Sequence, residues 1–274
     1  MKRMDAYIQA LLETNPLVEP TVQAAIRTLN IPVASHGLDV GCGIGLQTIQ
    51  LAQVVGTAGH VTGLDLSPEL LAYASENTKK DNMSGCISFE KGDIRELPFE
   101  NDSFDWVWSK DCVGYAPLDP VPLVQELRRV VKPGGMVVIL AWSSQTLLPG
   151  HPYLEARLNA TSAGIAPFAK DVRPEFHFLS GLTWMREAGL REIIVNTLIG
   201  QAYAPLSKEL RKALIALFEM RWPGVNAELS PEEQADYQRL CLQSSPEFIV
   251  NRPDYYAFFT YSMFSGKVVN EKTE

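Results

Sequence analysis

The residues best placed to do chemistry form a short run, Asp39-Val40-Gly41-Cys42-Gly43-Ile44-Gly45. An apolar strand, Gly37–Val40, enters it, and the spacing of apolar residues predicts a helix over Thr48–Val55. Glycines at such a turn let the backbone approach a ligand that a Cβ would push away. The helix start beyond them offers free N–H groups. Asp65 stands in the second strand, His60–Leu66, twenty residues past Gly45. A carboxylate there can accept hydrogen bonds from both hydroxyls of a ribose. Asp93, in Gly92-Asp93-Ile94 after the third strand, can accept from an adenine amino group, with Ile94 against the ring. Each feature also has a structural reading: a tight turn, a helix-start aspartate, a turn aspartate. Ser67 sits where it would cap the next helix, which leaves Asp65 freer for a ligand. The spacing is D-x-G-x-G-x-G. In the dinucleotide pattern G-x-G-x-x-G a third glycine would stand at Leu46, so an NAD(P)-dependent oxidoreductase is the weaker reading.

The elements that must hold these residues alternate between strand and helix. Strands are expected at Gly37–Val40, His60–Leu66, Cys86–Glu90, Ser103–Ser109 and Met136–Trp142, with helices after Ser67 and over Val121–Val131. Alternation of this kind means βαβ units and a parallel sheet with helices on both faces. Beyond it, Met1–Asn30 reads as one or two helices broken at Pro16 and Pro20. Leu182–Ala188, Leu206–Arg221 and Pro231–Gln243 read as helices, and Arg191–Leu198 and Tyr255–Phe264 as strands.

Five stretches in order, Leu38–Gly45, Gly63–Ser67, Gly92–Phe99, Phe104–Ser109 and Arg128–Gly135, resemble the signature segments of class I S-adenosylmethionine-dependent methyltransferases. "GDIRELPFENDSFDWVWS" and "LRRVVKPGGMVVI" are similar to the ubiquinone and menaquinone biosynthesis branch, which acts on small molecules. The resemblance spans Gly37–Trp142, somewhat under half the chain. It implies a Rossmann-like α/β fold: a seven-stranded sheet, mostly parallel, with its last strand antiparallel. It implies S-adenosyl-L-methionine as cofactor, with Asp39 and the Gly41/Gly43/Gly45 loop at its methionine part and Asp65 on the ribose. Leu66, Asp93 and Ile94 would lie at the adenine, and Ser109 beside the methyl group. The chain then reads as one methyltransferase domain, with an N-terminal lid at 1–30, a cofactor core at 31–142 and substrate-cap insertions at 145–180 and 200–250.

The chemistry so implied is an in-line displacement, for which positioning supplies about 7–11 kcal/mol of the barrier. No residue stands out as a general base. Tyr7, Tyr115, His151 and His177 are the substrate-pocket candidates, each with an ordinary packing or surface role as its alternative. His36 and His60 lie at the strand starts, away from the ligand edge. Ser109-Lys110-Asp111-Cys112 is unlike the Asn/Asp-Pro-Pro-Tyr signature of nucleic-acid amino methylation. Aromatic residues after the fifth strand (Tyr153, Phe168, Phe176, Phe178, Trp184, Trp222, Phe248) suit a hydrophobic or aromatic acceptor, or form the core of a helical cap.

Bulk composition agrees. A formal charge of −8 with no Lys/Arg cluster gives no basic field for nucleic acid. The four cysteines form no C-x-x-C pair, and no carboxylate set marks a metal. Asp5, Gln9 and Glu13 interrupt any signal-like apolar run, and Met136–Trp142 is too short for a bilayer. The expectation is a soluble cytoplasmic enzyme with no membrane partner. A non-catalytic protein that keeps the cofactor fold is the remaining alternative.

Overall fold

The computed structural model describes residues 2–80, 85–115, 118–168 and 172–269. Among them, helix α1 (Lys2–Thr28) leads into strand β1 (His36–Val40), α2 (Leu46–Val55), β2 (His60–Asp65), α3 (Pro68–Lys80) and β3 (Ile87–Lys91). Then come β4 (Phe104–Lys110), α4 (Pro120–Arg129), β5 (Val131–Thr146), α5 (Pro152–Asn159), α6 (Ser162–Ile165) and α7 (Gly181–Glu187). The chain ends through β6 (Arg191–Tyr203), α8 (Lys208–Arg221), α9 (Pro231–Cys241) and β7 (Tyr256–Lys267).

The seven strands form one sheet in the order β3-β2-β1-β4-β5-β7-β6. The pairs β1–β2, β1–β4, β2–β3 and β4–β5 are parallel. The last strand, β7, inserts between β5 and β6 and runs antiparallel. Gly134 donates to the Val268 carbonyl and Val268 donates back to Gly135, a reciprocal exchange proper to antiparallel pairing. The order reverses at β1, whose two neighbours are β2 and β4. In open α/β sheets ligands bind beyond the carboxyl ends of the strands at such a switch point. The register sets Val40 beside both Leu64 and Ser109, so the ends of three strands are level there.

The middle strands are buried on both sides, which is why they read as continuous apolar runs. Leu38, Val40, Val61, Val107, Val137, Val138 and Leu140 are all enclosed. Helix α4 follows Asp119, whose side chain accepts from the Val121 N–H, with Pro120 at its first position.

The chain divides into two compact units. One comprises Met1–Thr21, Ser143–Asp171 and Ile199–Thr260, and the other Val22–Trp142, Val172–Leu198 and Tyr261–Glu274. The first is mainly helical. Its core gathers Leu158, Leu214, Phe218, Trp222, Phe248 and Tyr255, all buried. The second carries the parallel strands and the glycine loop.

Three elements differ from the sequence reading. Helix α1 runs unbroken through Pro16 and Pro20. The two prolines are four residues apart, so they share one face, and both are exposed. The carbonyls they leave unbonded therefore point toward water, which bends a helix without ending it. Strand β5 is 16 residues long and begins before Lys132-Pro133-Gly134-Gly135, where a helix stop was expected to separate helix from strand. It also continues past Trp142 to Thr146. Strand β6 likewise runs on beyond Leu198 to Tyr203.

Candidate cofactor site

The glycine loop is built against the end of β2. The N–H groups of Gly41 and Cys42 both donate to the Leu64 carbonyl, at 2.8 and 3.0 Å. Gly43 N–H donates to Asp65 Oδ2 at 2.9 Å. Gly45 N–H closes back on the Cys42 carbonyl. All three loop glycines have positive φ, but two need it for different reasons. A Cβ on Gly41 would come within 2.8 Å of the Cys112 Cβ, so glycine there admits the chain after β4. A Cβ on Gly43 would meet nothing within 4 Å. That open side is where a ligand can lie against bare backbone. Gly45 then caps α2 with no side chain, so the helix start keeps its N–H groups for another acceptor.

Asp65 is more engaged than the sequence reading supposed. Its second oxygen accepts from Ser67 N–H at 2.9 Å, while Ser67 Oγ accepts from Leu70 N–H at 3.3 Å. Ser67 does cap α3, yet Asp65 also spans from that helix start to the glycine loop. Each carboxylate oxygen has a second lone pair, so the group is oriented by the protein with acceptor capacity left. Next to it Leu66 is 62% exposed, an apolar side chain set in the open where a flat ring would cover it.

Asp39 lies underneath. It is 1% exposed and accepts from Thr48 Oγ1 at 2.6 Å, which ties β1 to the first turns of α2. Burial pushes its carboxyl up to about 7. The Asp65 charge adds to the rise, and Thr48 and Lys110 oppose it. Ser109 is 0% exposed and lies beside the Cys112 thiol, which burial drives up to about 12. Asp93 is held by its neighbour: Arg95 Nε donates to both its oxygens at 3.0 and 2.9 Å, and Arg95 N–H to Oδ1. Those bonds keep the Asp93 carboxyl below the ordinary range. Ile94 beside it is half-buried.

The pocket candidates are scattered. Tyr115 donates from its hydroxyl to the Trp142 carbonyl at 3.1 Å and stacks on Phe178 at 6.1 Å, so it anchors the chain after β4. His177 accepts from Leu179 N–H through Nδ1, and partial burial lowers its pKa. Tyr7, exposed on α1, and His151, before α5, belong to the helical unit. Of the aromatic residues, Phe178, Trp184, Trp222 and Phe248 are core, whereas Tyr153 is exposed and bonds Glu233. Among the described residues no three His, Cys, Asp or Glu side chains gather into a metal site, and no helix is long and apolar enough to cross a membrane.

The sequence reading missed the residues that close β4. Asp111 has φ +50, in the left-handed region. Its carboxylate accepts from Trp142 N–H at 2.9 Å, from Lys110 Nζ at 2.5 Å and from the Tyr261 hydroxyl at 3.4 Å. Lys110 also lies 5.3 Å from the Tyr261 ring centre. The cluster joins the end of β4 to Trp142 within β5 and Tyr261 within β7. Lys110-Asp111 was in view in the sequence, but its long-range partners were not.

A family description of methyltransferase domains matches residues 38–139, the stretch that carries the glycine loop, Asp65, Asp93 and Ser109. A demethylmenaquinone methyltransferase of Bacillus subtilis is 31% identical over 189 residues, covering 64% of this chain and 79% of the relative. The chain belongs to the class I S-adenosylmethionine-dependent methyltransferases, of the menaquinone type. The demethylmenaquinone methyltransferase of Staphylococcus haemolyticus is 40% identical over 122 residues. That match covers 44% of this methyltransferase and 49% of the relative, so the chain spans about half the length of that protein. The fold recurs in the phosphoethanolamine N-methyltransferase 2 of Haemonchus contortus, solved with S-adenosyl-L-methionine. There the TM-score is 0.56 at 19% identity, over 95% of this chain and 57% of that one. It recurs as well in the YcgJ protein of Bacillus subtilis, with a TM-score of 0.55 at 16% identity over 92% and 99% of the two chains.

Proposed function

We propose that this methyltransferase transfers a methyl group from S-adenosylmethionine to a small organic acceptor with an apolar or aromatic body. The observation that carries the reading is the open backbone at Gly43, bordered by the oriented Asp65 carboxylate and the exposed Leu66. These groups fit the cofactor's parts: a carboxylate for two ribose hydroxyls, an apolar side chain for adenine, and bare N–H groups at the start of α2 for the methionyl carboxylate. Ile94 and Asp93 would complete the adenine side, Asp93 through the lone pairs that Arg95 leaves. Gly41 and Gly45 would shape the loop. Asp39 and Ser109, both enclosed, would act from behind it by fixing its geometry.

The chemistry that S-adenosylmethionine supplies when bound is a methyl carbon already activated for displacement by its sulfonium. The protein's task is therefore alignment, which can be worth about 7–11 kcal/mol. Asp65, tied at both oxygens, is held before any ligand arrives. Asp65 and Asp111 against Lys110 give a local excess of carboxylates, which suits a cationic cofactor. The named relatives act on demethylmenaquinone, so a naphthoquinol ring is the acceptor to try first.

The test is formation of S-adenosylhomocysteine from S-adenosylmethionine in the presence of a 1,4-naphthoquinol, followed by a screen of phenols, amines and thiols. Acceptor-dependent product is the expected result. Tight cofactor binding with no turnover on any of the four classes would leave a cofactor-binding protein without this activity.

A further inference from the structure

Strands β1 and β2 each begin with a histidine. His36 and His60 are direct partners in the parallel register of the two strands, so both side chains leave the same face of the sheet. Their ring centres are 6.2 Å apart, with the planes at 67°. His36 is exposed and His60 half-buried. Metal–nitrogen bonds of about 2.0–2.1 Å put two imidazole centres on one ion roughly 5–6 Å apart, so a small side-chain adjustment brings this pair onto a shared ion. The pair lies at the amino ends of the strands, the length of β1 (about 13 Å) from the glycine loop.

His60 is oriented for such a role. Its Nε2 lies 2.8 Å from Ser88 Oγ on β3, and Ser88 Oγ lies 3.2 Å from Thr62 Oγ1 on β2. The row is satisfied when Nε2–H donates to Ser88 and Ser88 donates to Thr62. That tautomer leaves the lone pair on His60 Nδ1. An oxygen acceptor on the far ring nitrogen is the arrangement that orients ligating histidines. Partial burial, and then the facing His36, lower the His60 pKa, which favours the neutral ring that a metal needs. Beside the pair, Asp105 accepts from the His36 backbone N–H at 2.7 Å and from Lys132 Nζ at 2.8 Å. Lys132 is thus matched and presents no uncompensated positive charge to an incoming ion.

We propose that His36 and His60 form a two-histidine site for a divalent transition ion of the zinc class, with water in the remaining positions. Two neutral nitrogens suit zinc, nickel or copper, whereas magnesium and calcium take oxygen ligands. A bound ion ties the start of β1 to the start of β2. It stabilises the folded chain, because the unfolded chain does not hold the two rings together. The site stands independently of the methyltransferase reading and makes no use of the cofactor.

Calorimetric titration of the untagged full chain with zinc chloride reads the site directly. One equivalent should bind, and the thermal midpoint should rise with zinc. Magnesium chloride at the same concentration should do neither. His36→Gln and His60→Gln should each weaken zinc binding more than about tenfold and abolish the rise in midpoint. Ser88→Ala removes only the support of His60 and should weaken binding several-fold. Melting without zinc establishes that each variant is folded. His36 is exposed, so His36→Gln alone decides the matter if His60→Gln does not fold. Zinc held as tightly by the folded histidine variants, for instance at free thiols, would overturn the proposal. So would native protein that binds no zinc, or that binds magnesium equally well.

Discussion

The unit of the glycine loop and the helical unit hold their polar side chains in different ways. Around the glycine loop and the strand ends beside it, partners are close in sequence. Asp39 reaches Thr48 nine residues on, Asp65 reaches back 22 residues to Gly43, and Asp93 is gripped by Arg95 two residues away. In the helical unit, several partners are remote. Trp222 and Asn159 are 63 residues apart, Arg157 and Glu233 76, and Tyr255 donates to the Leu147 carbonyl across 108. A βαβ unit returns the chain to the same sheet edge every few dozen residues, so its ligand groups recur at short, readable intervals. A helical unit assembled from three separated segments has no such period. The comparison teaches that the geometry of a strand-end loop is set locally, and the packing of a helical unit built from distant segments is not.

Each unit can be stressed where it depends on one buried group. The largest effect belongs to Asp39. An acid harder to ionise in the folded protein stabilises it below the unfolded pKa near 4, and loses that contribution as pH climbs toward its folded value of about 7. Denaturant titrations from pH 4 to pH 7 should show stability falling by at most about 4 kcal/mol from this group, at about 1.4 kcal/mol per pH unit. Asp39→Asn should flatten that slope. An unchanged slope would mean the carboxyl ionises as it does in water.

Glu155 is the counterpart in the helical unit. Its oxygens accept from Leu147 and Leu148 N–H at 2.7 and 3.1 Å in a buried setting, and burial raises its pKa. Glu155→Ala strands both donors and should cost about 2–4 kcal/mol by chemical denaturation, since each buried unpaired group costs about 1–3 kcal/mol. A loss below about 1 kcal/mol would show that water replaces the carboxylate there.

What was legible follows the same division. The order of strands, the glycine loop, Asp65 and Asp93 were visible because residue type and spacing alone place them at carboxyl ends of strands. The extent of β5 was not, because Pro133, Gly134 and Gly135 are stop signals locally and are carried into the sheet only by pairing with β7 near Val268, over 130 residues away. Tyr115 was open to two readings in the sequence, and its bond to Trp142 makes it an anchor. The bonds that bring Gln145 and Trp222 together on Asn159 gave no signal, since nothing in the sequence around any of the three names the others as partners.

Asp65 sharpens the comparison from the binding side. Asp65→Ala removes the proposed ribose acceptor and frees the Gly43 and Ser67 N–H groups together, so affinity for S-adenosylmethionine should fall more than about tenfold, worth about 1.4 kcal/mol or more. Calorimetry on the folded variant reads this directly, and unchanged affinity would remove Asp65 from the site.

The smallest stability effect is expected at Gly43, and its value lies in the contrast with Gly41. Both have positive φ, at +54° and +77°, so alanine at either bears about 1 kcal/mol of backbone strain. At Gly41 the new Cβ also strikes Cys112, and the fold itself must give way. At Gly43 it enters open space, so the stability cost should stop at the strain. Gly43→Ala should therefore melt nearly as the native protein does and still bind S-adenosylhomocysteine several-fold more weakly, because the methyl group takes up the room where ligand meets backbone. If Gly43→Ala bound as tightly as native protein, the open side of the loop would face something other than the cofactor.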